Sequence, residues 1–83
     1  MSRKQKLIER LRSKPIDFTF DEMESLLFLL GFAKSNAGKT GGSRVKYRLA
    51  GVEIRIHRPH PRKQLKHYQV SQVLNILEQE GLI

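Results

Sequence analysis

The segment that decides the fold is GKTGGSRVKYRLAGVEIRIHRPHP, residues 38–61. Within it, apolar and polar residues alternate over residues 44–49 (RVKYRL) and again over residues 52–57 (VEIRIH). Alternation with a period of two predicts two strands, each with one buried face and one solvent-facing face. The intervening Ala50-Gly51 predicts a two-residue hairpin turn, because glycine tolerates a positive φ.

The register of this hairpin follows from the same alternation. A two-residue turn pairs Leu49 with Val52 and places the apolar residues of both strands on one face, with Arg44 opposite His57 on the other. A slip by one residue would mix apolar and charged side chains on each face, so we expect the paired register. The cations and the histidine on the predicted polar face are Arg44, Lys46, Arg48, Arg55 and His57.

Helices are predicted on both sides of the hairpin. Residues 2–13 have a narrow apolar stripe and end before Pro15, which predicts an accessory helix at the edge of the domain. Residues 18–32 predict a core helix, because Thr19 and Glu22 match a capping box. Residues 69–80 have an apolar face that predicts a closing helix.

A short first strand over residues 32–36 completes the expected order of helix, helix, strand, strand, strand, helix. Antiparallel strands with helices on one face define a two-layer α+β domain. The chain has 83 residues, so we expect a single domain over residues 1–83. Residues 19–83 would form its core, and residues 2–13 its accessory helix.

Positive charge is concentrated in one part of the chain. The formal net charge is +8 at pH 7, and residues 34–66 contain ten Lys and Arg against the single acid Glu53. A smaller local excess of positive charge would be enough for solubility, whereas a surface that binds a polyanion is typically this basic. The residues expected to contact that polyanion are Lys39, Ser43, Arg44, Lys46, Arg48, Arg55, Arg58, Lys63 and Lys66.

Three other kinds of site or location are disfavoured. The GKT at residues 38–40 lacks the spacing of a phosphate-binding loop, and no predicted helix follows it. His57 and His60 offer two metal ligands where zinc needs three or four, and the chain has no cysteine. We therefore expect no metal and no cofactor. No apolar run approaches the length of about 20 residues that a membrane span needs, so we expect a cytoplasmic protein.

Gly31-Phe32 follows the core helix, Gly42-Ser43 precedes the hairpin, and His60 and Leu65-Lys66 lie between the hairpin and the closing helix. In this order, these residues resemble the HicA family of toxins, also called YcfA-like. The resemblance covers residues 19–83 and includes an amphipathic hairpin and a closing helix. It implies a fold like the double-stranded-RNA-binding domain, ribosome-independent mRNA cleavage and neutralisation by a HicB-like antitoxin.

One position departs from the pattern of that family. The family usually has a catalytic histidine directly after Gly-Ser, where this chain has Arg44. Metal-independent RNA cleavage needs a base for the 2′-hydroxyl and cations for the charge of the phosphorane. We therefore expect His57, opposite Arg44, to be the catalytic base, and His60 to be a supporting acid or phosphate contact.

Three functions remain open from the sequence. The favoured one is an endoribonuclease toxin (an mRNA interferase) with mRNA and a HicB-like antitoxin as partners. The alternatives are an RNA-binding module of the same fold without catalysis, and a protein whose main role is to bind the antitoxin through its basic face. In each case we expect a free monomer that does not associate with membranes.

Overall fold

The computed structural model describes residues 2–35, 44–59 and 63–83. Its three strands form one antiparallel sheet in the order β1-β2-β3, and the predicted α+β class is confirmed. The elements are α1 (Arg3–Arg12), α2 (Phe20–Leu30), β1 (Ala33–Ser35), β2 (Arg44–Leu49), β3 (Val52–His57) and α3 (His67–Gln79). None of the described helices is long and apolar enough to cross a membrane.

The start of α2 is built as the sequence predicts. The Thr19 hydroxyl accepts a hydrogen bond from the backbone N–H of Glu22 at 3.1 Å, and the Glu22 carboxylate accepts one from the backbone N–H of Thr19 at 3.0 Å. Phe18 and Met23, on either side of this capping box, are both fully buried. The box satisfies two backbone donors that the helix leaves open, and the flanking apolar pair sets the entry of the chain.

The hairpin has the predicted register along its whole length. Leu49 pairs with Val52 next to the turn, and Arg44 pairs with His57 at the far end. Ala50 and Gly51 have φ values of 47° and 85°, so both central residues of the turn are left-handed. A turn with two positive φ angles matches the right-handed twist of the strands, and Gly51 adopts it without steric cost.

One apolar core lies between the sheet and the three helices. The inward side chains of the hairpin, Tyr47, Ile54 and Ile56, are buried in the same cluster as those of α2 and α3. Leu30 and Val45, which the apolar pattern also places inward, are only partly buried against it. The helices therefore cover the apolar face of the sheet and leave the polar face of the hairpin to solvent.

Helix α1 belongs to this core more closely than an edge position implies. Its apolar residues Leu7, Ile8 and Leu11 are all buried, and Leu11 is completely inaccessible. Arg10 donates two hydrogen bonds to the Glu22 carboxylate, at 2.9 and 3.2 Å, so α1 is also tied to the start of α2. Burial raises the pKa of Glu22, but these bonds and those from Thr19 outweigh it and lower that pKa below its usual range.

The turn offers a direct test of the hairpin geometry. Ala50→Asn should raise the free energy of unfolding by about 0.5–1 kcal/mol, because asparagine tolerates the left-handed conformation that costs alanine about 1–2 kcal/mol. Urea unfolding of the purified variant measures this. Ala50→Val is the control and should lower the urea midpoint, since a β-branched side chain is strained at a positive φ. An unchanged or lower midpoint for Ala50→Asn would contradict the assigned turn.

Candidate nucleic-acid interface

The polar face of the hairpin carries the acid Glu53 as well as the predicted cations. Glu53 pairs with Arg48 across the strands, and its carboxylate lies 3.3 Å from Lys46 Nζ and 3.0 Å from Arg55 Nη2. The hydrogen bonds and charges of Lys46 and Arg55 lower the pKa of Glu53 below its usual range. Two of the predicted RNA-contacting cations are therefore already in ion pairs at the centre of this face.

His57 occupies the last position of β3, on the exposed face. Its backbone carbonyl accepts a hydrogen bond from Gln69 Nε2 at 2.9 Å. The Oε1 atom of the same amide accepts one from the backbone N–H of Lys66 at 2.8 Å. Gln69 is nearly buried, at 8% exposure. This single side chain thus fastens the end of β3 to the start of α3, which fixes the backbone that presents His57.

The role of Gln69 was not predicted from the sequence, because the apolar pattern places the start of the last helix at that residue. The helix begins instead at His67, two residues earlier, with Lys66 as its N-cap. Gln69 is then the third helical residue, where a glutamine commonly reaches back to the N-cap backbone. A helix start at His67 would have predicted the hydrogen bond between Gln69 and the backbone of Lys66. It would not have predicted the hydrogen bond from Gln69 to His57 of β3.

A groove of about 1000 Å³ lies between the end of β3 and the start of α3. Its described walls are residues 57–59, residues 64–69 and the turn at residues 16–17. His57 and His67 line the same groove, together with the cations Arg58 and Lys66. The fold therefore brings two imidazoles, a guanidinium group and an amino group to one concave surface, although β3 and α3 are separate elements.

Arg58 has a defined orientation at this groove. Its guanidinium lies over the ring of Phe20, 4.9 Å from the ring centroid. Such stacking holds a flexible side chain in place, so less conformational entropy is lost when it contacts an anion. Phe20 is itself buried at the start of α2, which makes it a rigid support.

The remaining predicted site residues are distributed as follows. Arg48 is exposed on the hairpin face. Lys63 is also exposed and directly precedes Gln64, a residue of the groove wall. Lys39, Ser43 and His60 lie outside the described residues, and Arg44 is placed by its strand pairing alone. No group of three or more potential metal-ligating side chains occurs in residues 2–35, 44–59 and 63–83.

Tyr47 and Glu24 have structural roles. The Tyr47 hydroxyl donates a hydrogen bond to Glu24 Oε2, which also lies 3.2 Å from Lys34 Nζ. Burial, followed by the bond to Glu24, raises the pKa of Tyr47 well above its ordinary value. Burial raises the pKa of Glu24, but the bonds from Tyr47 and Lys34 outweigh it and lower that pKa. Tyr47 therefore stays protonated inside the core and offers no surface for base stacking.

Comparison with known proteins agrees with this architecture. A family model described as the HicA toxin of bacterial toxin–antitoxin systems matches residues 20–82. The match spans three quarters of the chain, from the start of α2 to the segment after α3, and the chain belongs to the HicA toxin family. Its general role is that of a toxin whose partner is an antitoxin. No curated protein and no solved structure matches the chain.

The contact made by Gln69 can be tested by unfolding. Gln69→Ala should lower the free energy of unfolding by about 1–3 kcal/mol, because it leaves a partly buried carbonyl and a helix N–H without their partner. Chemical denaturation of the purified protein measures the change. Gln72→Ala, an exposed glutamine of the same helix, is the matched control and should change stability by less than about 0.5 kcal/mol. Equal effects of the two substitutions would contradict the assigned contact.

Proposed function

We propose that the protein is a ribonuclease toxin that cleaves mRNA without a metal ion and is neutralised by a HicB-like antitoxin. The observation that carries the proposal is the position of His57. It pairs across the hairpin with residue 44, the position where the family usually has its catalytic histidine, and it lines a groove with Arg58 and Lys66. Directly opposed residues on one sheet face have Cβ atoms about 4.5–5.5 Å apart.

The proposed reaction is an internal transesterification. The imidazole of His57 takes the proton of a ribose 2′-hydroxyl, and the 2′-oxygen attacks the adjacent phosphorus. The bond from phosphorus to the 5′-oxygen then breaks, and that oxygen leaves with a proton from an acid. The products are a 2′,3′-cyclic phosphate and a 5′-hydroxyl, so no oxidant or cofactor is consumed. Histidine suits the proton transfers because it can hold or release a proton near neutral pH.

The other groups of the site have supporting roles in this proposal. Arg58 and Lys66 stabilise the negative charge that develops on the phosphorane oxygens, which is often the largest contribution to catalysis. Arg44 supplies further charge from the opposite strand, and His60 is the acid or a phosphate contact. The basic hairpin face binds the RNA backbone and also matches an acidic surface of the antitoxin.

The cellular setting follows from the same proposal. The toxin acts in the cytoplasm, where mRNA is available, and is a monomer when free of antitoxin. Residues 19–83 form the catalytic domain, and α1 stabilises it through Leu11 and Arg10 rather than acting as a separate unit.

A second function is favoured by one observation, the arginine at position 44. An arginine cannot serve as the general base, because its guanidinium stays protonated. If His57 does not replace the missing histidine, the protein binds RNA or its antitoxin without cleaving RNA. The loss of catalysis would then leave the basic surface and its salt-dependent RNA binding unchanged.

Replacement of His57 separates these two functions. His57→Ala should abolish growth arrest in cells that express the toxin and should lower RNA cleavage by about 10²–10⁴-fold, the usual contribution of a positioned base. Folding and antitoxin binding should remain close to those of the parent. The measurement is the rate at which purified protein cleaves a defined RNA, compared with the same RNA carrying a 2′-deoxy sugar at the cleavage site.

Three further results would show which histidine, if either, acts as the base. Arg44→His in the His57→Ala background should restore part of the activity, because the imidazole returns to the family's usual position. If His60→Ala is inactive while His57→Ala remains toxic, the two histidines have the opposite roles. If both single variants cleave RNA like the parent, the histidine mechanism is wrong.

Glu53 provides an electrostatic test of the hairpin face. Glu53→Gln should strengthen RNA binding and steepen its dependence on salt, because Lys46 and Arg55 lose the carboxylate that now competes with phosphate. Fluorescence anisotropy with a labelled, non-cleavable RNA measures both quantities. Glu78→Gln, an exposed acid near the end of α3, is the control for net charge alone. Equal effects of the two substitutions would mean that the hairpin face does not contact RNA.

A further inference from the structure

Two exposed hydrophobic side chains line the groove beside His57. Tyr68, the second residue of α3, is 56% exposed, and Ile16 in the turn after α1 is 87% exposed. The described residues include four large hydrophobic side chains that are exposed, and two of the four line this groove. An isolated exposed side chain needs no explanation, but apolar side chains that meet in a concave surface with polar groups are typical of a ligand site.

The charged groups around this pair define the chemistry of the ligand. His57, Arg58, Lys66 and His67 line the same groove and favour an anion. The described acid in the lining is Asp17, whose carboxylate lies 3.2 Å from Arg10 Nη2 and is therefore compensated. A ligand that fits has a flat apolar part for the Tyr68 ring and an anionic part for the cations. A nucleotide with an unstacked base has both.

We infer that this groove binds one unstacked nucleobase of single-stranded RNA, stacked on the ring of Tyr68, beside the phosphate that faces His57. The inference rests on the proposed function, because it assigns the nucleotide next to the cleaved bond. Aromatic stacking combined with a basic groove is the usual mode of single-strand recognition. A volume of about 1000 Å³ is at the upper end of ordinary ligand pockets, so a nucleotide can enter.

This placement also determines which RNA structure is a substrate. In a duplex each base is stacked between its neighbours and paired with the other strand, so its face is not available to Tyr68. The groove therefore selects a nucleotide in a loop or an unpaired segment. Stacking tolerates every base, because each has a π-face, so Tyr68 contributes strand selectivity more than sequence preference.

The experiment measures binding of a single-stranded RNA oligonucleotide that contains one 2-aminopurine and has 2′-O-methyl groups to prevent cleavage. Stacking on Tyr68 should quench the fluorescence of the 2-aminopurine. Tyr68→Ala should weaken binding by about 5- to 150-fold, the usual contribution of one stacked base, and should remove the quenching. Tyr68→Phe should retain both. Binding of the corresponding duplex should be much less affected by either substitution.

Two controls separate this inference from the proposed function. Phe28→Ala removes another exposed aromatic ring, 47% exposed and outside the described lining of the groove, and should leave RNA binding unchanged. His57→Ala should lose cleavage but still quench the 2-aminopurine at saturating protein, because the Tyr68 ring is retained. If Tyr68→Ala binds single-stranded RNA as the parent does while the parent cleaves RNA, the stacking site is wrong and the ribonuclease stands. If Tyr68→Ala weakens only antitoxin binding, the groove is a protein-binding site and the inference is overturned. If the parent neither binds nor cleaves RNA, the proposed function fails and the inference fails with it.

Discussion

The pairing of Leu49 with Val52 across the Ala50-Gly51 turn positions both the core and the site. Once these two residues are opposed, the period of the strands sends Tyr47 and Ile54 toward the helices and His57 to the opposite face. A shift of one residue would expose the apolar side chains of the hairpin and bury its charged ones. The resulting loss of folding free energy would be too large for a small domain to remain folded. The core and the polar face are therefore two consequences of one register.

Several charged groups of the described chain are used to hold elements together. The Glu22 carboxylate caps α2 and binds Arg10 of α1, while Glu24 joins α2 to Tyr47 and Lys34 of the sheet. These contacts explain why Glu22 and Glu24 have depressed pKa values without implying acid–base chemistry. The ionisable side chains that line the groove are mostly imidazoles and cations, the groups that the proposed cleavage of a phosphodiester would use.

The hairpin face and the groove differ in how their charge is held. On the hairpin face, Glu53 engages Lys46 and Arg55, so the RNA backbone of the proposed function would compete with ion pairs that already exist. At the groove, Arg58 is stacked on Phe20, and the backbone carrying His57 is fastened by Gln69. A prearranged site loses less entropy on binding than a flexible one. For the proposed ribonuclease, this difference favours the groove as the catalytic site and the hairpin face as a weaker, more general contact with the RNA backbone.

The sequence by itself determined the hairpin register, the capping box of α2 and the fold class, because each depends on residues close in the chain. Period-two alternation and a Thr-x-x-Glu motif act over a few residues, so they can be recognised without knowing the rest of the fold. Only the tertiary structure revealed the link from Gln69 to His57 and the burial of α1. It also brought Ile16 and Tyr68 into one groove. These features join residues that are distant in the chain, and no local pattern encodes which distant groups will meet. They depend on how the helices pack against the sheet, which the summed burial of the whole core decides.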